Sequence, residues 1–135
     1  MKDHEGALAG ALIAHLKDDG ALRALLGDPV RIWDQPPEEA AFPHLLVGRN
    51  ESRPVAADGG GVEHRLTLTC ASRFAGMEEA RAVAAAVRAR LADARIAADG
   101  VRTVSLGVVF ADVFRSPDLK RAWAVMRVRA VTEEE

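Results

Sequence analysis

The chain has no tyrosine, a single cysteine, three methionines and only three lysines in 135 residues. One thiol, Cys70, excludes an internal disulfide framework and suits a reducing compartment. Four phenylalanines and two tryptophans are too few for the stacking platform of a single-strand nucleic-acid binder. No apolar run approaches the roughly eighteen residues of a membrane span. The N-terminal "MKDHEGALAG" lacks the apolar core of a signal peptide. Net charge is −2, so no global field draws the chain to nucleic acid or anionic lipid. Fifteen arginines against three lysines, with abundant alanine, are the bias of a GC-rich bacterial genome.

What remains is an ordinary globular balance, 49% hydrophobic and 28% charged, in a length that makes residues 1–135 one domain. Leu8, Leu12 and Leu16, widened by Ala9 and Ile13, predict a helix from about Glu5 to Lys17, with Gly20 as its C-cap. A short helical turn, "ALRALLGD", follows, and "VRIW" reads as a short strand. Pro36, Pro37 and Pro43 forbid regular pairing until a strand resumes from about His44 to Arg53. The glycines of "RPVAADGGG" predict a mobile loop over about 54–61.

"VEHRLTLTCASR" alternates cleanly, with Leu66, Leu68 and Cys70 on one face and Glu63, Arg65, Thr67 and Thr69 on the other. Met77, Ala80, Val83, Ala84, Val87 and Leu91 stripe the strongest helix. After a turn at Asp99-Gly100, two long strands flank Ser116-Pro117-Asp118 as a hairpin, and residues 132–135 close the chain as a solvated tail. The expected order is α-β-β-β-α-β-β. It describes an α+β domain: a mostly antiparallel sheet of four to five strands with two main helices on one face.

The second main helix spans about 25 Å, whereas Val101–Arg115 fully extended reaches about 50 Å. Gly107 and the phase slip at Val108-Val109 predict a bulge. The last strand is apolar on both faces: Ala124, Met126 and Val128 on one, Trp123, Val125 and Val131 on the other. One helical layer cannot cover both, so one of them is an interaction surface.

No catalytic set emerges. Glu38 and Glu39 sit side by side in the proline-flanked loop "WDQPPEEAAFPHLLVG", with nothing to hold them at a working separation. His64 and Cys70 share a strand face but stand about 20 Å apart, too far for a nucleophile–base dyad. His44 heads a strand with no partner implied by spacing, and His15 sits at the margin of the leucine stripe as a packed residue. No histidine or cysteine pair has zinc-site spacing, and no cofactor is expected. The arginines of the last hairpin, among them Arg102, Arg115, Arg127 and Arg129, read first as a solvated strand face.

The succession "VRIWDQPPEEAAFPHLLVG", "EHRLTLTCASR", "GMEEARAVAAAVRARL" and "VSLGVVFADVFRSPDLKRAWAVMRVRAVTE" resembles the tail-terminator or tail-completion family of long non-contractile phage tails and of alphaproteobacterial gene transfer agents. The resemblance runs from Ala11 to Glu133, and His44 replaces the aromatic that relatives carry after "FP". It implies a non-enzymatic protein, assembled in the bacterial cytoplasm and ending in the tail or neck of a particle. There it forms a ring, expected to be hexameric, that caps the head-proximal end of the tail tube and receives the neck.

The implied partners are other copies of the chain, the tail tube protein, head-completion or neck proteins and the tape measure protein. DNA only passes through the ring, and no membrane is involved. Subunit contacts are expected at Phe110, Phe114, Trp123 and Val125, with Arg121, Arg127 and Arg129 available for salt bridges or for passing DNA. Tube or neck contacts are expected at Trp33, Glu38, Glu39 and Phe42, and around Arg53, Asp58, Gly59, Gly60 and Gly61. The alternatives are a neck adaptor one layer higher, or a small ligand-binding α+β domain with a concave pocket.

Overall fold

The computed structural model describes residues 2–55 and 60–135. Helix α1 is His4–Lys17 and α2 is Gly20–Leu26. Strands β1 (Ile32–Trp33), β2 (His44–Pro54) and β3 (Val62–Ala71) come next, then α3 (Glu78–Leu91), β4 (Ala97–Ala98), β5 (Val101–Arg115) and β6 (Ala122–Glu134). The six strands form one sheet in the order β1-β2-β3-β6-β5-β4, antiparallel throughout except for β1 beside β2.

The leucine stripe of α1 and the Ala80-Val83-Ala84-Val87-Leu91 stripe of α3 face the same side of the sheet. They meet Leu45, Val47, Leu66, Leu68, Cys70, Ala124, Met126 and Val128 in one core. Each fully buried leucine of this layer contributes about 1.5–3 kcal/mol over exposure. The opposite face has no helix on it. There β6 presents Trp123, Val125, Arg127 and Arg129 in alternation with its buried set.

Four expectations change. The sheet has six strands rather than four to five, because Ala97–Ala98 adds a short β4. Alanines carry no strand signal; this pairing is imposed by Asp99 and Gly100, both at positive φ (51° and 77°), which is the geometry of a tight hairpin turn. Gly20 is not a C-cap. Asp18 ends α1, and Asp19 caps α2 by accepting the Leu22 N–H at 3.0 Å, so Gly20 is the first residue of a second helix. The expected solvated tail is mostly strand: β6 runs to Glu134 and Thr132 is buried. The loop over 54–61 begins inside β2 at Pro54, and Asp58 and Gly59 lie outside the described residues.

The predicted bulge is present. The β5–β6 register slips between Val108 and Phe110, and again between Thr103 and Ser105. Ala111 and Val113 point to the helix side yet are only half-buried, so the helical layer falls short of this end of the hairpin.

Candidate functional site

The uncovered face divides into an apolar end and a charged end. At the apolar end, the register places His44, Ala71, Trp123 and Phe114 in one row across the sheet, and Trp33, Leu46, Thr69, Val125 and Asp112 in the next. The His44 ring lies 4.9 Å from Phe42 and 5.6 Å from Trp33. Phe114 meets Trp123 edge-on at 5.9 Å. The Arg121 guanidinium lies 3.9 Å above the Phe42 ring. Between them opens an apolar groove of about 500 Å³ with Leu46 and Ala71 among its lining residues, walled by Phe42, His44 and Trp123 and rimmed by Arg121.

At the charged end, Glu63 is a hub. It accepts a hydrogen bond from Arg129 at 2.7 Å and pairs with Arg53 at 3.1 Å and Arg65 at 3.7 Å. The Arg129 hydrogen bond leads the influences that hold its carboxyl below the usual range, against the pull of burial. Phe110 and Val109, on β5, are 49% and 60% exposed, and Arg127 lies 5.5 Å over the Phe110 ring.

The structure therefore joins Trp33 and Phe42 to Arg121, Trp123, Val125 and Phe114 on one surface. Arg53 and Arg129 meet at the other end, while Phe110 and Arg127 form a pair between. Glu38 and Glu39 are exposed and in no ion pair among the described residues. Gly60 is exposed at φ +70°, and the Gly61 carbonyl accepts the Val55 N–H at the base of the loop.

Sequence reasoning missed the Glu63 hub and the role of His44. Strand alternation had already put Glu63 on the open face, and His44 stacks its ring among Phe42 and Trp33, which is the work of an aromatic side chain.

The other titratable groups lie away from this surface. His64 and His4 both hydrogen-bond the Thr132 hydroxyl, at 2.8 and 2.7 Å, in the packed layer. Burial pushes His64 below the usual imidazole value. Cys70 is fully buried, and burial pushes its thiol up to about 12. Glu79 is pushed up by its own burial, but Arg73 outweighs this and holds it below the carboxylate range. Among the described residues no group of three or more histidine, cysteine, aspartate or glutamate side chains could hold a metal ion, and no helix is long and apolar enough to cross a membrane.

A sheet that buries one face and leaves a rimmed apolar groove on the other is a contact surface, and the class it defines is an α+β assembly module. The family model for tail completion protein gp17 matches residues 10–133, and the chain belongs to that family, which makes it a structural protein of a phage-type tail. Its fold is similar to a chain solved within the virion of a native gene transfer agent particle. That likeness has a TM-score of 0.87 and 27% identity, over 98% of this chain and 99% of the other. No curated protein matches the chain.

Proposed function

We propose that copies of this chain close into a ring, hexameric, on the head-proximal end of a tail tube in a gene-transfer-agent-like particle. The ring ends tube growth and offers its outer surface to the neck of the filled head. It acts by contact alone, with no catalytic step. The observation that carries this reading is the uncovered apolar face, with Trp123, Val125, Phe110 and Phe114 on one side of a sheet whose other side packs against the helices.

A ring also needs two different patches per subunit. Among the described residues, four of the five large exposed apolar side chains lie along β5 and its turn: Val104, Val109 and Phe110 on the strand and Leu119 in the turn after it, while Phe74 follows β3 and its carbonyl accepts the Ala122 N–H of β6. The groove runs from Phe42, His44 and Leu46 on the β2 side across to Ser116, Pro117 and Arg121 at the β5–β6 turn. The Trp33–Phe42 segment and the loop from Arg53 through Gly61 are assigned to the tube or neck.

The test is Trp123→Asp, introduced into particles in place of the natural chain. Trp123 is half-buried on the open face, so the variant is expected to fold, to leave tails uncapped and to yield few DNA-delivering particles. Normal-length, delivering tails from that variant would refute the assignment. Imaging labelled protein on tails purified without heads separates a terminator, which is present there, from a neck adaptor, which is not.

A further inference from the structure

Both outer edges of the sheet are open. On one side β1 pairs only with Leu45 and Leu46, a parallel pairing that also engages the Val47 N–H, which leaves the outer side of β2 without a backbone partner from Gly48 to Pro54 among the described residues. On the other side β4 pairs only with Val101 and Arg102. The Leu106 carbonyl accepts the Asp93 N–H, and beyond it the outer side of β5 has no backbone partner from Gly107 to Arg115. The two open stretches are seven and nine residues long, counted from those bounds. Because β2, β3, β6 and β5 alternate in direction, β2 and β5 run antiparallel to each other.

We propose that the Gly107–Arg115 edge of one copy pairs with the Gly48–Pro54 edge of the next, so that one antiparallel sheet runs from subunit to subunit. This rests on the ring reading and says how the ring is joined. Rotation about a ring axis preserves the component of strand direction along that axis, so strands running along the axis bring the β2 of the next copy antiparallel to β5, as every long neighbour within the chain is. An open edge with Val109 and Phe110 half or more exposed is the kind a protein covers.

Side-chain parity and charge then select the register. Residues opposite each other must share a face. On the open face β5 carries Phe110, Asp112 and Phe114, opposite Arg127, Val125 and Trp123 of β6. Past its bulge β2 carries Glu51 and Arg53 there, opposite Arg65 and Glu63, and Arg49 reaches Glu51 on the same side. Centring one open stretch on the other sets Asp112 opposite Arg49 or Glu51, and only Arg49 has the opposite sign. Asp112 is exposed and in no ion pair among the described residues, while Arg49 holds only the exposed Glu51, at 3.3 Å. Because the β2 bulge between Val47 and Asn50 absorbs one residue, this register staggers the next copy by about two residues, or about 7 Å over four strands spaced about 4.8 Å, a tilt in the sense a closing sheet needs.

The experiment exchanges the charges in particles. Asp112→Arg and Arg49→Asp, each alone, are expected to lower completed tails about tenfold or more. The double variant is expected to restore them. Both side chains are exposed, and circular dichroism of each purified variant confirms folding. As a second readout, Asp112→Cys with Arg49→Cys on one chain is oxidised on purified tails. Within a chain these sites are three strand spacings apart, about 14 Å, beyond disulfide reach, and the buried Cys70 stays silent.

A ladder of cross-linked multimers extending past the dimer supports the pairing. Either single charge variant assembling like the natural chain, a double variant that stays as defective as the singles, or dimers formed by Asp112→Cys alone overturn it. If microscopy still shows rings in that case, the ring reading stands and only the joint is wrong. If the natural chain sits on tails as a single copy, the ring reading fails and this pairing fails with it.

Discussion

Replacing Thr132 by valine removes one hydroxyl and almost nothing else, and should destabilise the fold well beyond what its size suggests. Thr132 is 1% exposed and stands between His4, at the first position of α1, and His64, fully buried on β3. Valine keeps the β-branched shape but withdraws both hydrogen bonds, each worth about 1 kcal/mol net, and strands two imidazole nitrogens without water. His64 is already short, since its Nδ1 has no partner. The expected loss is about 2–4 kcal/mol, or about 6–12 °C in melting temperature for a chain of this length. Thr132→Ser keeps the hydroxyl and serves as the control. Thermal unfolding at pH 8, followed by circular dichroism, gives both values. A Thr132→Val melting point within about 2 °C of the natural chain, or no lower than that of the serine variant, would refute the reasoning.

His64 makes stability depend on pH. Burial depresses the His64 value, opposed by the Glu5 charge and aided by His4. The folded chain therefore refuses a proton that the unfolded chain takes near pH 6.5, so stability is full above that pH and falls as pH drops below it; urea midpoints at pH 8 and pH 5.5 should differ in that sense. Cys70 should resist thiol reagents in the native chain and react fully in denaturant, since it is 0% exposed with its thiol pushed up to about 12. Gly100→Ala places a Cβ at φ +77° and should cost about 1–2 kcal/mol, read as a lower urea midpoint.

Local periodicity carried most of the fold. The stripes of α1 and α3 and the alternation of β3 are properties of one segment each, and so is the slip at Val108-Val109, all of which the structure repeats. What stayed hidden depends on pairs distant in sequence. β4 is two alanines made into a strand by the turn beside them, and the parallel β1–β2 contact requires knowing where the chain returns after the prolines. His4 lies 128 residues from Thr132, and His64 lies 68 residues from it. No spacing rule connects such groups. The terminal Thr-Glu-Glu reads as a tail by composition, yet one buried threonine and the Glu133–Arg102 pair hold it in the sheet. Of the contact surface, the open face of β6 was legible; the groove was not, because it requires Phe42 and His44 to fold over from the other end of the sheet.

The arginines are the instructive part of that surface. From sequence they form a basic stripe on the last hairpin, open to a reading in which they approach passing DNA. In the structure most are already answered. Arg53, Arg65 and Arg129 converge on Glu63, Arg102 holds Glu133, and Arg49 holds Glu51. Arg121 and Arg127 lie over the Phe42 and Phe110 rings, where a flat, weakly hydrated cation covers an aromatic face better than lysine does. A guanidinium held by a neighbouring carboxylate has few counterions to release to a phosphate backbone. The open face is thus less a charged track than an apolar surface interspersed with self-paired arginines, and under the proposed ring the residues it offers a partner are Phe110, Val125, Trp123 and Asp112, which is in no ion pair among the described residues.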